Sequence, residues 1–319
     1  MIRYLLGRLA WTMLVIWIVA TSVFVIYFAV PHDVARLIAG RQASAETVQL
    51  VRARLGLDQP AHIQYAQFLG RLVRGDLGYS FNTQESVNTI IARDFPVTVS
   101  LALGSGILWL VLGVGAGVLA ATKRRSATDR IITAVALGFY SMPTFLVGQL
   151  LLFFLFFRLY MAGFEFFPPG SYVAFGDNPL QWARFLALPW LSVALVTAAT
   201  YSRLTRGAML DVMDEDYIRT ARAKGLTESR ITYRHVLRSS LTPVVSQFGI
   251  DMGSLLGGAI VTEVVFGLPG LGREVVQAIT TQDLPIIMGI TILSTVLVVA
   301  ANLVVDVAYG LLDPRVRLE

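Results

Sequence analysis

Long apolar segments alternate with shorter polar ones along the whole chain. A helix needs roughly 20 apolar residues to cross the ~30 Å hydrocarbon core of a bilayer. Six segments approach or exceed that length: Leu9–Val30, Val97–Thr122, Ile131–Phe157, Phe185–Ser202, Thr242–Thr262 and Ile286–Leu312. This pattern predicts an all-α polytopic membrane protein with six transmembrane helices.

The first apolar segment follows Arg3 and Arg8, an arrangement that also occurs in signal peptides. Its apolar run is too long for a signal peptide, and no small-residue cleavage site follows it. We therefore expect residues 1–30 to hold an N-terminal tail and the first transmembrane helix.

Residues 31–96 carry the signals of three short helices. Ser44 is placed to cap a helix that ends near Gly56, and Pro60 is placed to open one that ends near Gly75. A third helix is predicted over Glu85–Asp94. Aromatic side chains in this segment favour order over disorder. The sequence predicts a small all-helical extracytoplasmic platform, and a passive surface loop is the alternative.

Lysine and arginine predict the orientation, because short loops rich in them stay in the cytoplasm. They are frequent at both chain ends and after the second and fourth predicted spans. Between the third and fourth spans, residues Met161–Ala183 contain none, and between the fifth and sixth, Glu263–Pro285 contain only Arg273. Both termini and residues 203–241 are therefore predicted to be cytoplasmic, within a transmembrane core formed by residues 97–319. Residues 31–96 are long enough to be translocated regardless of charge.

Composition agrees with a membrane protein, since 55% of the 319 residues are hydrophobic and only 15% are charged. The net charge of +5 could suggest nucleic acid, but the basic residues are spread along the chain. We expect them to set topology, with the lipid bilayer as partner and no nucleic acid. The chain has no cysteine, which excludes disulfides and cysteine-based metal or catalytic sites.

The polar stretch from Asp214 to Pro243 lies between two apolar segments and predicts two short helices that meet at Gly225. Asp214 is expected to cap the first helix and Thr227 the second. Gly225 suits the left-handed residue that ends a helix. From these residues alone, a docking loop and an ordinary solvated helix-turn-helix are equally good interpretations.

The letters YIRTARAKGL, followed at a distance by HVLRSSLTP, resemble the EAA-type loop of ATP-binding-cassette (ABC) importer permeases. Ala221 and Gly225 match that motif, whereas Arg219, Thr220 and Arg238 depart from it. The departures resemble the dipeptide and oligopeptide branch. Three further stretches resemble the B-type permease subunit of that branch: LGLDQPAHIQYAQFLGRLVRGDLGYSF, TEVVFGLPGLGREVVQAITTQDLP and NLVVDVAYGLLDPRVRL.

The resemblance covers nearly the whole chain and implies a type I importer permease fold in the bacterial cytoplasmic membrane. It implies a heterodimer with a second permease, two ATP-binding cassette ATPases, and a binding protein that delivers peptide from outside. ATP and Mg would be held by the ATPases. The loop would couple ATPase motion to the spans through six residues: Tyr217, Ala221, Lys224, Gly225, Leu226 and Glu228. Relatives also carry other small solutes such as nickel complexes.

No catalytic, cofactor or metal site is predicted in the chain itself. A phosphate-binding P-loop needs a lysine followed by serine or threonine, but Lys123 precedes arginine and Lys224 precedes glycine. The three histidines, His32, His62 and His235, lack metal-ligand spacing. We therefore expect a transport subunit that is not an enzyme.

Asp251 is the polar residue that stands out within a predicted span, where an unpaired charge is costly. It could lie on the translocation path and attract a peptide amino group. The alternative is that it lies in a hydrated vestibule or pairs at a subunit interface. Two further expectations concern packing: Pro143 should kink the third span, and the glycines of the second span should let helices approach closely.

Two other functions compete with an ABC permease. A stand-alone secondary transporter would need an ion relay or an inverted repeat, and the sequence offers too few buried charges and no visible repeat. A structural scaffold would not need the large basic loop with its two capped helices.

Overall fold

The computed structural model describes residues 2–29, 35–36, 43–54, 58–80, 82–168, 170–257 and 259–312. Val30, His32 and Gly56, all named above, lie outside these ranges. The described residues form helices joined by loops, with one short β-hairpin. The predicted all-α class is confirmed.

In chain order the helices are α1 (Ile2–Ala29), α2 (Ala45–Arg54), α3 (Ala61–Val73), α4 (Val87–Thr122), α5 (Ala127–Tyr140), α6 (Thr144–Leu151), α7 (Arg158–Met161), α8 (Pro179–Met213), α9 (Asp216–Ala223), α10 (Glu228–Arg230), α11 (Leu237–Leu256), α12 (Ile260–Phe266), α13 (Leu271–Thr281) and α14 (Leu284–Leu312). Two π-helical turns, π1 (Leu152–Phe157) and π2 (Ile231–Val236), connect α6 to α7 and α10 to α11. Strands β1 (Tyr79–Ser80) and β2 (Glu85–Ser86) pair antiparallel.

Five helical segments among the described residues are long and apolar enough to cross a bilayer: Gly7–Ile26, Val87–Thr122, Thr144–Met161, Pro179–Met213 and Leu284–Val304. The helical stretches Glu228–Leu256 and Ile260–Phe266 differ in direction by 56° and make a sixth span if they count as one. The structure thus holds five or six spans, against six predicted.

The prediction that residues Ile131–Phe157 form the third span as a single kinked helix is wrong. Helix α5 ends at Tyr140, and Pro143 has an extended backbone immediately before α6. Proline has no N–H to donate and disfavours helical backbone in the residue before it. These constraints account for a full break, and the apolar segment of sufficient length is Thr144–Met161.

The predicted short helix over Glu85–Asp94 is confirmed from Val87 onward, but its start and its end are wrong. Glu85 and Ser86 form strand β2, so the outer segment is not entirely helical. Helix α4 begins at Val87 because the Ser86 hydroxyl accepts the backbone N–H of Thr89 at 3.1 Å, a typical N-cap. From there α4 continues through Pro96 as one helix of 36 residues.

Two other helix starts in the outer segment agree with the sequence. The Ser44 hydroxyl accepts the N–H of Thr47 at 3.2 Å before α2, and Pro60 precedes α3. Gly75 follows α3 with a φ of 76°, which glycine tolerates without strain. The starts of α2 and α3 are confirmed.

One compact unit comprises residues 1–95 and 274–296. Within it α3 lies against α1, where the hydroxyls of Thr21 and Tyr65 are 2.7 Å apart and the rings of Phe24 and Tyr65 are 5.1 Å apart. The other unit comprises residues 96–273 and 297–319. These units are defined by packing and do not test the predicted topological division at residues 30 and 96, which stays a prediction.

Within the second unit, glycines allow α4 to approach α8 closely. A Cβ at Gly113 would lie 2.9 Å from the carbonyl oxygen of Ala198, and one at Gly117 would lie 2.7 Å from that of Ser202. Small residues are needed where helix backbones come this near in a membrane. Gly115, which we also expected to pack, is different, because a Cβ there would meet no neighbouring atom within 4 Å in the described part of the chain.

Candidate functional site

The loop that connects α8 to α11 begins differently from the prediction. Asp214 is the C-terminal cap of α8, and Glu215 takes the N-cap position of α9 with no side-chain hydrogen bond to the helix. The prediction that Asp214 caps the first short helix is therefore wrong. The cause is α8, which continues beyond its apolar part to Met213 and takes up the residues expected to begin the loop.

Gly225 forms the turn between α9 and α10, as predicted. Its φ is 74°, in the left-handed region that L side chains rarely adopt. The N–H of Leu226 donates to the carbonyl of Ala221 at 3.3 Å, which satisfies one of the free carbonyls at the end of α9. Thr227 occupies the N-cap position of α10 with extended backbone but makes no side-chain capping bond.

The inner side of the loop is apolar and packs on the ends of two long helices. Ile218, Ala221, Ile231 and Val236 are buried in one cluster. Val118 and Ala121 of α4 and Met209 of α8 complete its buried core, with Leu226 half-buried against it. The loop is therefore held to both α4 and α8 by apolar contact.

The outer side of the loop is polar and exposed. Tyr217, Lys224, Gly225 and Glu228 are all exposed. The Tyr217 hydroxyl donates to Ser239 at 3.2 Å, and Arg222 donates to the Glu228 carboxylate at 2.9 Å. The six residues predicted as a coupling set thus divide into four on the outer side and two, Ala221 and Leu226, on the inner side.

A second contact ties α5 to α8 near this loop. The Arg206 guanidinium donates to both oxygens of Asp129, at 2.8 and 2.9 Å. Arg206 and the backbone N–H of Arg125 stabilise the carboxylate and lower the pKa of Asp129 to about 2. This bidentate pair stays charged at neutral pH and holds the start of α5 to α8.

Asp251 lies on α11 at a cavity of about 450 Å³ in the second compact unit. The Tyr201 hydroxyl donates to its Oδ2 at 2.8 Å, and the Gln247 amide donates to its Oδ1 at 2.9 Å. Trp109, Tyr140 and three hydroxyl-bearing residues also line the cavity: Thr197, Thr200 and Ser254. The carboxylate is thus half-buried and borders open space.

Glu263 is another carboxylate of the second compact unit. It was not among the site residues predicted from the sequence. It is fully buried on α12. The Thr98 hydroxyl donates to its Oε1 at 2.7 Å, and the Arg273 N–H donates to its Oε2 at 3.0 Å. The signal available in the sequence was a carboxylate followed closely by the glycines of the turn, Gly267, Gly270 and Gly272.

The described residues contain no group of three or more histidine, aspartate or glutamate side chains arranged to hold a metal ion. His62 and His235 belong to different compact units. Among the described residues, the two candidate features are the exposed side of this loop and the cavity beside Asp251.

Two family descriptions match the chain. Residues 113–318 match the binding-protein-dependent transport system inner membrane component, and residues 1–102 match the N-terminal component of the same system. Together they span most of the sequence, including the loop and Asp251.

Relatives align along their full length. A protein of Brucella abortus (strain 2308) named as a peptide transport system permease is 41% identical over 319 residues, 100% of both chains. The glutathione transport system permease GsiC of Escherichia coli (strain CFT073) is 37% identical over 317 residues, 99% of both chains. An inward-facing structure of the MetNI methionine ABC transporter superposes with a TM-score of 0.54 and 21% identity, over 70% of this chain and 96% of that one.

The superposition on MetNI supports the fold alone. The family matches, and the relatives that align over their full length, show the family to which the chain belongs. The predicted type I importer permease fold and the resemblance to peptide importer permeases are confirmed. The chain belongs to the family of binding-protein-dependent transport system inner membrane components, multi-pass proteins of the bacterial inner membrane.

Proposed function

We propose that this chain is the membrane-spanning permease subunit of an ATP-driven importer of peptides. The relatives named for peptide and glutathione transport support this substrate class. The importer would also contain a second permease that completes the translocation path, two ATPases and an external peptide-binding protein. The two-sided loop between α8 and α11 is the observation that carries the proposal.

The loop has the structure that a coupling element needs. Its exposed side, with Tyr217, Lys224, Gly225 and Glu228, offers a surface on which an ATPase can bind. Its apolar side is packed against α4 and α8. Because packed interiors shift as units rather than deform continuously, movement of the ATPase would move these two helices and the cavity between them.

Ala221 and Leu226 have a different role in this proposal from the one implied by the resemblance. Ala221 is buried, so its side chain faces the cluster rather than a partner. Leu226 is half-buried on the same cluster. They would transmit the movement, while the exposed residues make the contact.

The chain would supply no ATPase activity of its own. Neither of its two lysines has the serine or threonine neighbour of a P-loop. ATP and Mg would bind to the separate ATPase chains. The basic loops predict that both termini and residues 203–241 lie in the cytoplasm, where those ATPase chains would bind.

The two lysines provide a matched experiment. Lys224 lies on the loop, and Lys123 lies on the turn before α5, exposed like Lys224. The complex would be purified in mild detergent from cells that carry wild type, Lys224→Glu or Lys123→Glu. We expect a second permease and an ATPase to accompany the wild type, and the recovered ATPase to fall severalfold only with Lys224→Glu.

Two results would contradict the proposal. Equal ATPase recovery with both variants would remove the loop from the contact. A chain that purifies alone and still transports peptide after reconstitution would overturn the ABC importer altogether.

A further inference from the structure

The cavity beside Asp251 has the dimensions of a small-molecule site. Its volume of about 450 Å³ lies within the range of roughly 300–1,000 Å³ that such sites occupy. Its walls come from α4, α5, α8 and α11, with Trp109, Tyr140, Thr200 and Ser254 among them. The lining therefore combines aromatic and aliphatic side chains with a few hydroxyl groups and one carboxylate.

Among the residues that the structure describes, the groups that hold the Asp251 carboxylate are neutral. Tyr201 and Gln247 each donate one hydrogen bond to it. None of the ion pairs found in the described part of the chain involves Asp251. An ionised carboxylate can accept about four hydrogen bonds, so it is held in position with acceptor capacity left and its charge unbalanced by a cation.

Arg203, which follows the cavity-lining Thr200 closely on α8, makes its contact with an aromatic ring. The Arg203 guanidinium lies over the ring of Tyr140, 4.0 Å from its centroid. This stacking holds the positive charge on one face of a cavity-lining ring, and no ion pair among the described residues joins Arg203 to Asp251. A cation that enters the cavity would therefore not need to displace an internal partner from the carboxylate.

We propose that this cavity recognises the primary ammonium group of the transported solute, with Asp251 as its acceptor. Trp109, which also lines the cavity, would add the attraction of an aromatic ring for a cation. The inference rests on the proposed function, because a peptide with a free amino terminus supplies that ammonium group. The importer would then prefer peptides with a free amino terminus over blocked ones at the membrane step itself.

Binding to the purified complex tests the site without transport. The probes are L-leucinamide, which carries the ammonium group, and N-acetyl-L-leucinamide, which does not. We expect the wild type to bind leucinamide at least about tenfold more tightly by calorimetry, since a charge-assisted hydrogen bond is at stake. Asp251→Asn should remove the preference, and Asp251→Glu should restore much of it. Asp177→Asn, the same change at an exposed loop position, should keep it.

Equal affinity of the wild type for the two probes would overturn the inference, leaving Asp251 in a water-filled vestibule. That comparison uses the wild-type chain and so holds even if a variant fails to fold. Proteoliposome uptake of dialanine and N-acetyl-dialanine, with the same binding protein in every sample, separates the two proposals. Peptide uptake whose preference is unchanged by Asp251→Asn would refute the ammonium site alone. Ammonium binding that depends on Asp251, without any peptide uptake, would refute peptide import alone.

Discussion

Asp251 and Glu263 are two carboxylates of the second compact unit, and the space around them differs. Each accepts hydrogen bonds from neutral donors, Asp251 from two side chains and Glu263 from the Thr98 hydroxyl and the Arg273 N–H. Glu263 is fully buried, with the turn at Gly270 closed around it, whereas Asp251 is half-buried at a cavity. The open space beside Asp251 distinguishes this carboxylate from Glu263.

This difference decides which carboxylate can act on a solute. An ionisable group inside a membrane protein is expensive and therefore suggests function. Glu263 offsets that cost by tying α12 to α4 and to the turn before α13, which leaves no room for a ligand. Asp251 keeps acceptor capacity beside a cavity. A charged residue in a span is thus a candidate site only when space adjoins it.

The largest expected effect comes from removing the enclosed carboxylate. Glu263→Leu would leave the buried hydroxyl of Thr98 and the partly buried N–H of Arg273 without this acceptor, and would fill the turn with a branched side chain. Leaving a buried donor without its acceptor costs about 1–3 kcal/mol, so with two donors affected we expect the free energy of unfolding, measured by titration with SDS, to fall by about 2–6 kcal/mol. Glu263→Gln, which keeps the shape and one acceptor, should cost less. A wild-type stability for Glu263→Leu would mean that the turn does not depend on this carboxylate.

A smaller effect is expected from filling the space around Glu263. A Cβ at Gly270 would overlap the Glu263 carboxyl group, so Gly270→Ala should destabilise the protein by about 1–3 kcal/mol through overpacking. Gly115→Ala is the matched control, because nothing lies within 4 Å of the added methyl there and alanine favours the helix. Melting temperatures in detergent would compare the two. If both variants melt together, the turn at Gly270 is looser than its geometry indicates.

Local signals predicted much of this structure. Apolar runs located most of the spans, Ser44 and Pro60 located helix starts, and Gly225 located the turn of the loop. Each depends on residues close in sequence, through helix capping, backbone conformation or burial of a continuous apolar run. Such features can be recognised without knowledge of the rest of the fold.

Features that depend on distant partners could not be recognised in the same way. Glu263 is identifiable as a structural tie only because Thr98, far away in the chain, donates to it. The burial of Ala221 depends on Met209 of α8 and Val118 of α4. Asp251 was found as a charge in a span, but its cavity is formed by four helices. Sequence patterns identify the residue, and packing determines what it can do.

The smallest stability effect is expected at Asp251, and it is the sharpest test of the comparison. Asparagine has nearly the shape of aspartate and can still accept from Tyr201, while the Gln247 amide can turn its oxygen toward the new NH₂ group. We therefore expect Asp251→Asn to change the free energy of unfolding by less than about 1 kcal/mol, as for most changes that leave hydrogen bonds satisfied. The same SDS titration applies, with Glu263→Gln as the reference for a buried acid changed to its amide. A loss as large as that of Glu263→Leu would make Asp251 a structural tie of the same kind. The open space beside it would then no longer mark a site for an ammonium group.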